Sequence, residues 1–223
     1  MPGATGLPLA PFLASRADNY DGLRLVRPSF VPELVLHLAD DAIVLEARLE
    51  AQAGTSYHPF WTNAWAGGQA LARYVLDHPR LVAGRRVLDV ACGGGVAAIA
   101  AAKAGAASVT GNDIDPYACA AAAMNADANR VRLATVEGDL LGGDAGDAEV
   151  VLVGDAFYDS ALADRMGAFL RRAADRGAEI LVGDPGRGHV PAWLRELTTY
   201  RISGLGAAQD AAITEVSVLG VLR

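Results

Sequence analysis

Apolar residues in the second half of the chain fall into short continuous runs separated by longer, alanine-rich stretches. Arg86 to Val90, Ser108 to Asp113, Val131 to Val136, Val150-Val-Leu-Val-Gly154 and Glu179-Ile-Leu-Val-Gly183 read as strands. The run at Val150 is continuously apolar, as expected for a strand buried on both faces. Helices are predicted between them, from about Gly95 to Lys103, from Pro116 to Ala126 and from Ser160 to Ala174. Pro116 sits where a helix start tolerates the missing N–H. Strand and helix in alternation predict a doubly wound parallel sheet. The chain then changes character. Glu196 to Ile202 and Ile213 to Leu222 read as two longer strands joined through Gly204-Leu-Gly, an antiparallel pair that closes the sheet.

Upstream the pattern is looser. Residues 1 to about 28 show no periodicity and read as a lead-in. Glu33-Leu-Val-Leu-His-Leu and Ala42-Ile-Val-Leu-Glu, split by Asp40-Asp41, predict a small hairpin, because a polar pair between two β-forming runs marks a turn. An aromatic segment follows, Tyr57-His-Pro-Phe-Trp-Thr-Asn-Ala-Trp-Ala-Gly-Gly, and then a helix over Gln69 to Leu76 that Asp77-His78-Pro79 ends. The expected division is an extension over 1–56 and the main domain over 57–223.

Composition narrows the function classes. Of 223 residues, 52% are hydrophobic and 20% charged, which suits a well-buried core. A net charge of −7 argues against a broad electrostatic grip on nucleic acid. Arg171, Arg172 and Arg176 cluster, and such clusters usually form a solvated helix face. Cys92 and Cys119 lie in segments expected to be buried and lack metal-ligand spacing, so they read as reduced apolar residues. His58 and His189 each stand beside a proline, again without the spacing of a metal site, and no metal is expected. The first 20 residues do not follow the pattern of a secretory signal. The run from Val96 to Ala107, interrupted by Lys103 and Gly105, is too short for a membrane span. A cytoplasmic monomer with no nucleic-acid or membrane partner is the expectation.

The most informative stretch is Arg86-Val-Leu-Asp-Val-Ala-Cys-Gly-Gly-Gly-Val-Ala-Ala-Ile-Ala100. A strand meets an acid at Asp89, passes Gly93, Gly94 and Gly95, and enters a helix. That is the layout of a nucleotide-type turn, in which glycine lets the backbone approach a ligand closely. A carboxylate ahead of the loop disfavours a phosphate and favours a ligand carrying an ammonium or sulfonium; S-adenosylmethionine fits. A second acid, Asp113, follows the next strand at 113 − 89 = 24 positions. This is near the ~20-residue spacing at which a carboxylate meets ribose hydroxyls. Glu137-Gly-Asp139 ends the third strand, where Asp139 is either a turn residue or a partner for an adenine amino group. Asp115, before Pro116, reads as a helix cap. A nicotinamide-dinucleotide enzyme is the competing class, disfavoured by Asp89 and the wide loop.

With these residues in place the chain resembles class I S-adenosylmethionine-dependent methyltransferases over about residues 85 to 140. The resemblance implies a seven-stranded sheet with a reversed terminal hairpin and gives Asp113 to the ribose. It puts Asp89, Ala91, Gly93 and Gly95 in the cofactor loop, with Ile114, Asp139, Leu140, Gly154 and Trp65 around the rest of the cofactor. Ala91 departs from the commonest pattern, which has glycine there. Downstream, Gly154-Asp-Ala-Phe-Tyr-Asp159 carries an Asp-x-x-Tyr spacing similar to that of lysine methyltransferases acting on calmodulin and chaperones. Pro59-Phe-Trp-Thr-Asn-Ala-Trp-Ala-Gly-Gly-Gln-Ala-Leu-Ala-Arg-Tyr, together with Gly183-Asp-Pro-Gly-Arg187, resembles the electron transfer flavoprotein β-subunit lysine methyltransferases over roughly 57 to 190. That implies transfer of a methyl group to lysines of a protein partner. Asp155 and Tyr158 would be catalytic, and Trp61, Phe157 and Arg187 would contact the substrate. The plainer reading stands beside it: Asp155 caps the helix near Ser160, Phe157 and Tyr158 are core, and Asp184-Pro-Gly-Arg187 is a tight turn. A ribosomal protein, a small nicotinamide-like amine, or a silent cofactor-binding module are the rival functions.

Overall fold

Burial follows the apolar runs. In the computed structural model, which describes residues 22–202 and 214–221, the central strands are β3 (Arg86–Val90), β4 (Ser108–Asp113), β5 (Ala134–Glu137), β6 (Val150–Gly154) and β7 (Glu179–Asp184). They pair in parallel. Strands β8 (Arg195–Arg201) and β9 (Glu215–Gly220) close the sheet in antiparallel fashion, in the order β5-β4-β3-β6-β7-β9-β8. The expected seven-stranded, mostly parallel sheet with a terminal hairpin is therefore present. The predicted joint at Gly204-Leu-Gly lies outside the described residues.

Among the described residues five α-helices surround this sheet and the strands that precede it: α1 (Ala42–Ala53), α2 (Ala66–Asp77), α3 (Val96–Lys103), α4 (Pro116–Ala128) and α5 (Ser160–Asp175). On one face of the sheet, Ala66, Ala70, Leu71 and Val75 of α2 and Ala97, Ala98 and Ala101 of α3 pack on Val87, Val109, Val150 and Leu152. The small alanines let helix and sheet backbones come close. On the other face, Ala163, Met166, Phe169, Leu170 and Ala173 of α5 cover Leu88, Val90, Val151 and Val153. The approach is closest where α2 begins. A Cβ placed on Gly183 would lie 2.0 Å from the Gly67 carbonyl oxygen, and one on Gly154 would lie 2.8 Å from the Gly68 Cα. The paired glycines of the aromatic segment therefore serve backbone-on-backbone packing over the ends of β6 and β7.

Two readings of the amino-terminal region are corrected. The segment from Ala42 is a helix, not the second arm of a hairpin: the Asp41 carboxylate accepts from the Ile43 and Val44 amides and caps it. The β-forming Ile43 and Val44 are exposed, while Leu45 and Leu49, one helical turn apart, are buried. The lead-in also contains a strand. β1 (Leu23–Val26) pairs antiparallel with β2 (Leu36–Ala39). These elements share cores with the rest of the chain. Val31, Leu34 and Leu36 pack with Ala72, Ile99 and Ala126, and Leu23, Leu45 and Leu49 with Trp61, Ala118 and Ala121.

The clustered arginines are internal ties. Arg171 stacks 4.0 Å from the Trp193 ring centroid, Arg172 donates to the Leu141 and Gly143 carbonyls, and Arg176 pairs with Asp144. No helix among the described residues is long and apolar enough to cross a membrane.

Candidate active site at the carboxyl edge of the sheet

Chain order reverses between β4-β3 and β6-β7, and the crevice beyond such a reversal is where doubly wound sheets hold ligands. The glycine loop lies there. Gly93 (φ 52°) and Gly95 (φ 81°) take left-handed conformations, and so does Ala91 (φ 54°). That explains why a glycine is the commoner choice at the Ala91 position. A Cβ on Gly93 would approach only the Trp61 Cα, at 3.8 Å, so the loop leaves a cradle that a side chain would fill.

The first loop glycine is held from the next strand. The Gly93 amide donates to Asp113 Oδ2 (2.9 Å), and Asp113 Oδ1 accepts from the Asp115 amide (3.0 Å). Asp89 is 1% exposed and accepts from the Ala98 amide at 2.9 Å in the first turn of α3. Burial pushes its carboxyl up to about 7, and burial likewise raises Asp113. Asp89, Ala91, Gly93 and Gly154 line a cavity of about 50 Å³ together with Trp61, Trp65 and, from β2, Leu36 and Leu38. Ile114 and Val136 are exposed beside it, and Asn112 donates to the Val136 and Gly138 carbonyls (2.9 and 2.8 Å), which fixes the end of β5. Asp139 is engaged: one oxygen accepts from the Leu141 amide and the other pairs with Arg165. Leu140 is half-buried against the α5 face.

The β6–β7 end of the crevice is built around Asp155. It is buried, takes a left-handed conformation (φ 57°), and accepts from the Gly67 amide through Oδ2. Its Oδ1 accepts from Arg187 Nη2 (2.8 Å) and Nε (3.2 Å). Asp155 therefore caps α2, and the helix near Ser160 is capped by Asp159, which accepts from the Leu162 amide. Arg187 is drawn onto Asp155 by a turn in which Asp184 Oδ1 accepts from the Gly186 and Arg187 amides. Among the described residues only Ala91, Arg130 and Asp155 are non-glycines at positive φ. Two of the three stand at strand ends facing this crevice, and backbone strain concentrates at functional sites.

The aromatics sort differently from the sequence reading. Phe157 is fully buried with Met166 and Phe169, so it cannot flank a substrate. Trp61 is buried too. Its Nε1 donates to the Tyr57 hydroxyl (2.8 Å), which donates to Asp115 (2.6 Å), so the indole anchors the aromatic segment to α4 while its backbone lies over the glycine loop. The exposed ring is the neighbour, Phe60, at 58% exposure. It stands 6.3 Å from Trp65 and 6.5 Å from Tyr158, itself 57% exposed. The single turn of 3-10 helix over Phe60–Thr62 sends adjacent side chains in different directions. Burial, then the negative charges of Asp113 and Asp159, raise the Tyr158 phenol, which stays protonated at neutral pH. Glu46, Glu50 and His58 bring their ligand-type atoms within 4.8 Å of one another on the adjoining surface, with His58 Nδ1 2.7 Å from Glu46 Oε1.

A glycine cradle, a buried acid beside the cavity and a second acid at the end of β4 suit the amino-acid and ribose parts of S-adenosylmethionine, and the fold is that of class I methyltransferases. A solved ribosomal protein L11 methylase from Lactobacillus delbrueckii subsp. bulgaricus superposes with a TM-score of 0.51 at 23% identity over 70% of this chain and 78% of its own. The profile of the ribosomal protein L11 methyltransferase family (PrmA) matches residues 69–153. The chain is 46% identical over 131 residues to the electron transfer flavoprotein beta subunit lysine methyltransferase of Danio rerio, covering 58% of this chain and 51% of that protein. To the Xenopus laevis protein of the same name it is 40% identical over 167 residues, 72% of this chain and 68% of the relative. It belongs to the electron transfer flavoprotein β-subunit lysine methyltransferase family. The matched stretch spans about half the length of the zebrafish relative, 51%.

Proposed function

We propose that this chain is a protein-lysine N-methyltransferase that takes its methyl group from S-adenosylmethionine and delivers it to lysines of the electron transfer flavoprotein β subunit. The observation that carries this reading is the juxtaposition of the glycine-loop cavity, through Trp65 and Gly154, with the Asp155 corner and the exposed Phe60 and Tyr158 rings, to which the half-buried Trp65 is joined through Phe60. When bound, the cofactor supplies an electrophilic methyl carbon on a sulfonium. The chain has to align a neutral amine with it and keep the approach in line.

A lysine ammonium has a pKa of about 10.4 and arrives charged. Aromatic faces attract such a cation and pack along its aliphatic stem. Phe60, Trp65 and Tyr158 take this role, in place of Trp61 and Phe157. Asp155, held by Arg187 and the Gly67 amide, orients the amine electrostatically, and the Tyr158 hydroxyl hydrogen-bonds it; the proton leaves to solvent. Gly154 leaves room for α2 to pack at the donor end. Asp139 and Leu140 support the adenine side through the β5 loop.

A ribosomal-protein acceptor is the second reading, favoured by the L11 methyltransferase profile. That match ends at residue 153, before Asp155 and Tyr158, so it describes the cofactor half alone. Incubation with methyl-labelled S-adenosylmethionine and either purified electron transfer flavoprotein or ribosomal proteins, followed by peptide mass spectrometry, tests the proposal. Label on lysines of the flavoprotein β subunit is the expected result. Label confined to ribosomal proteins or small molecules overturns it.

A further inference from the structure

Helix α4 carries two buried asparagines one turn apart, and they do different work. Asn129, at the carboxyl cap of α4, grips the lead-in to β2 and its own helix: its Oδ1 accepts from the Val35 amide (3.0 Å), and its Nδ2 donates to the Val35 carbonyl (2.5 Å) and to the Asn125 carbonyl (2.8 Å), but it does not reach the glycine loop. Asn125 grips two things at once. Its Oδ1 accepts from the His37 amide (2.7 Å), with His37 Nδ1 3.1 Å away, while its Nδ2 donates to the Gly94 carbonyl (2.9 Å). The side chain is fully buried. A Cβ on Gly94 would sit 3.0 Å from the Trp61 carbonyl oxygen and 3.3 Å from Asn125 Nδ2, so this peptide lies between the aromatic segment and Asn125 with no slack.

The glycine loop thus has three independent restraints. Gly93 is held by Asp113 on β4, Gly95 donates to Cys92 within the loop (2.8 Å), and Gly94 is held by Asn125. Of the three, the last alone also touches the amino-terminal strands. Those strands in turn wall the cavity through Leu36 and Leu38.

We infer that Asn125 is a positioning residue for the methyl donor: it sets the Gly94 peptide in the shape that receives the cofactor's amino-acid part, and couples that shape to the docking of β2. The inference rests on the cofactor reading above. Its effect belongs in donor affinity, because Asn125 touches neither the acceptor rings nor Asp155.

The matched pair Asn125→Asp and Asn129→Asp separates positioning from mere stability, since each keeps an acceptor oxygen for β2 and loses an amide donor. Calorimetric titration with S-adenosylhomocysteine, an unreactive cofactor product, is read beside the unfolding midpoint. Both variants lower the midpoint; Asn125→Asp weakens binding tenfold or more, and Asn129→Asp less than threefold. Amide hydrogen exchange at Gly95 and Val96 in the unliganded protein speeds in the first variant only. Equal loss of affinity in both, or unchanged affinity in Asn125→Asp, overturns the inference. Failure of the unsubstituted protein to bind the ligand overturns the cofactor reading instead. Should an aspartate variant not fold, Asn125→Ser and Asn129→Ser are compared by the same criterion.

Discussion

The two ends of the crevice are made by opposite means. At the β3–β4 end, acids are buried against backbone amides: Asp89 on Ala98, Asp113 on Gly93 and Asp115. Gly93 leaves open space above them, while Gly94 and Gly95 let the loop pack closely on Trp61, Asn125 and Ala122. At the β6–β7 end, glycines are filled by other glycines, the buried acid is matched by an arginine, and the aromatic surface faces outward. A donor of constant structure suits a rigid cradle with unneutralised carboxylates. The proposed protein acceptor would suit a preset ion pair behind an exposed ring surface. Glycine therefore means accommodation at Gly93 and packing at the other end.

The largest expected effect breaks that contrast directly. Gly183→Ala drives a methyl group to within 2.0 Å of the Gly67 carbonyl oxygen, and α2 must move. Overpacking on this scale costs about 3 kcal/mol, read as a lowered urea midpoint. By contrast Gly93→Ala, with open space at its Cβ, costs the fold only about 1–2 kcal/mol for its left-handed backbone and is felt in donor affinity.

Next comes Asp155→Asn, expected to slow transfer about 100-fold, near 2.7 kcal/mol of barrier, with donor affinity within twofold. It also removes the charge that matches Arg187, so stability falls. Combining it with Arg187→Gln restores stability and leaves turnover low, a cycle read by calorimetry and single-turnover kinetics. Recovery of turnover in the double variant would make Asp155 a purely structural cap.

A smaller effect is set by pH. Asp89 is held up to about 7 because burial disfavours its carboxylate. A cationic ligand beside it favours the ionised form, so donor affinity is full above pH 7. It falls as pH drops below 7, up to tenfold per unit, about 1.4 kcal/mol. Stability runs the other way. The folded carboxyl lies above an unfolded value of about 3.9, so this group penalises the unliganded fold as pH rises from about 4 to 7. Titrating S-adenosylmethionine from pH 6 to 8.5 checks the slope, and Asp89→Asn removes it, which separates Asp89 from the neighbouring Asp113. Smallest is Phe60→Ala, expected to raise KM for the protein acceptor by about 1 kcal/mol with unchanged donor affinity.

Sequence pattern served best where local chemistry decides structure. Strands β3, β6 and β7 are legible because each holds an apolar run ending near glycine or acid, and the glycine loop because its backbone demands are local; β5 begins at Ala134 rather than Val131, since its exposed residues carry no burial pattern to fix its start. The helix over Ala42–Ala53 was misread because Ile43, Val44 and Leu45 are β-formers in isolation. The deciding facts are the Asp41 cap and the one-turn spacing of Leu45 and Leu49. Phe60 was overlooked beside Trp61 since composition does not say which of two adjacent rings faces outward. The Asp155–Arg187 pair and the Asn125 clasp join positions 32 and 31 residues or more apart, a distance at which spacing carries no signal.

Ala91 holds a backbone shape natural to glycine while its methyl group faces solvent. The surroundings therefore impose that shape on a residue that resists it, at a standing cost of roughly 1–2 kcal/mol. The bend is a property of the scaffold around it, so Ala91→Gly keeps the bend and widens the margin of thermal tolerance, at the loss of one methyl group from the cavity wall.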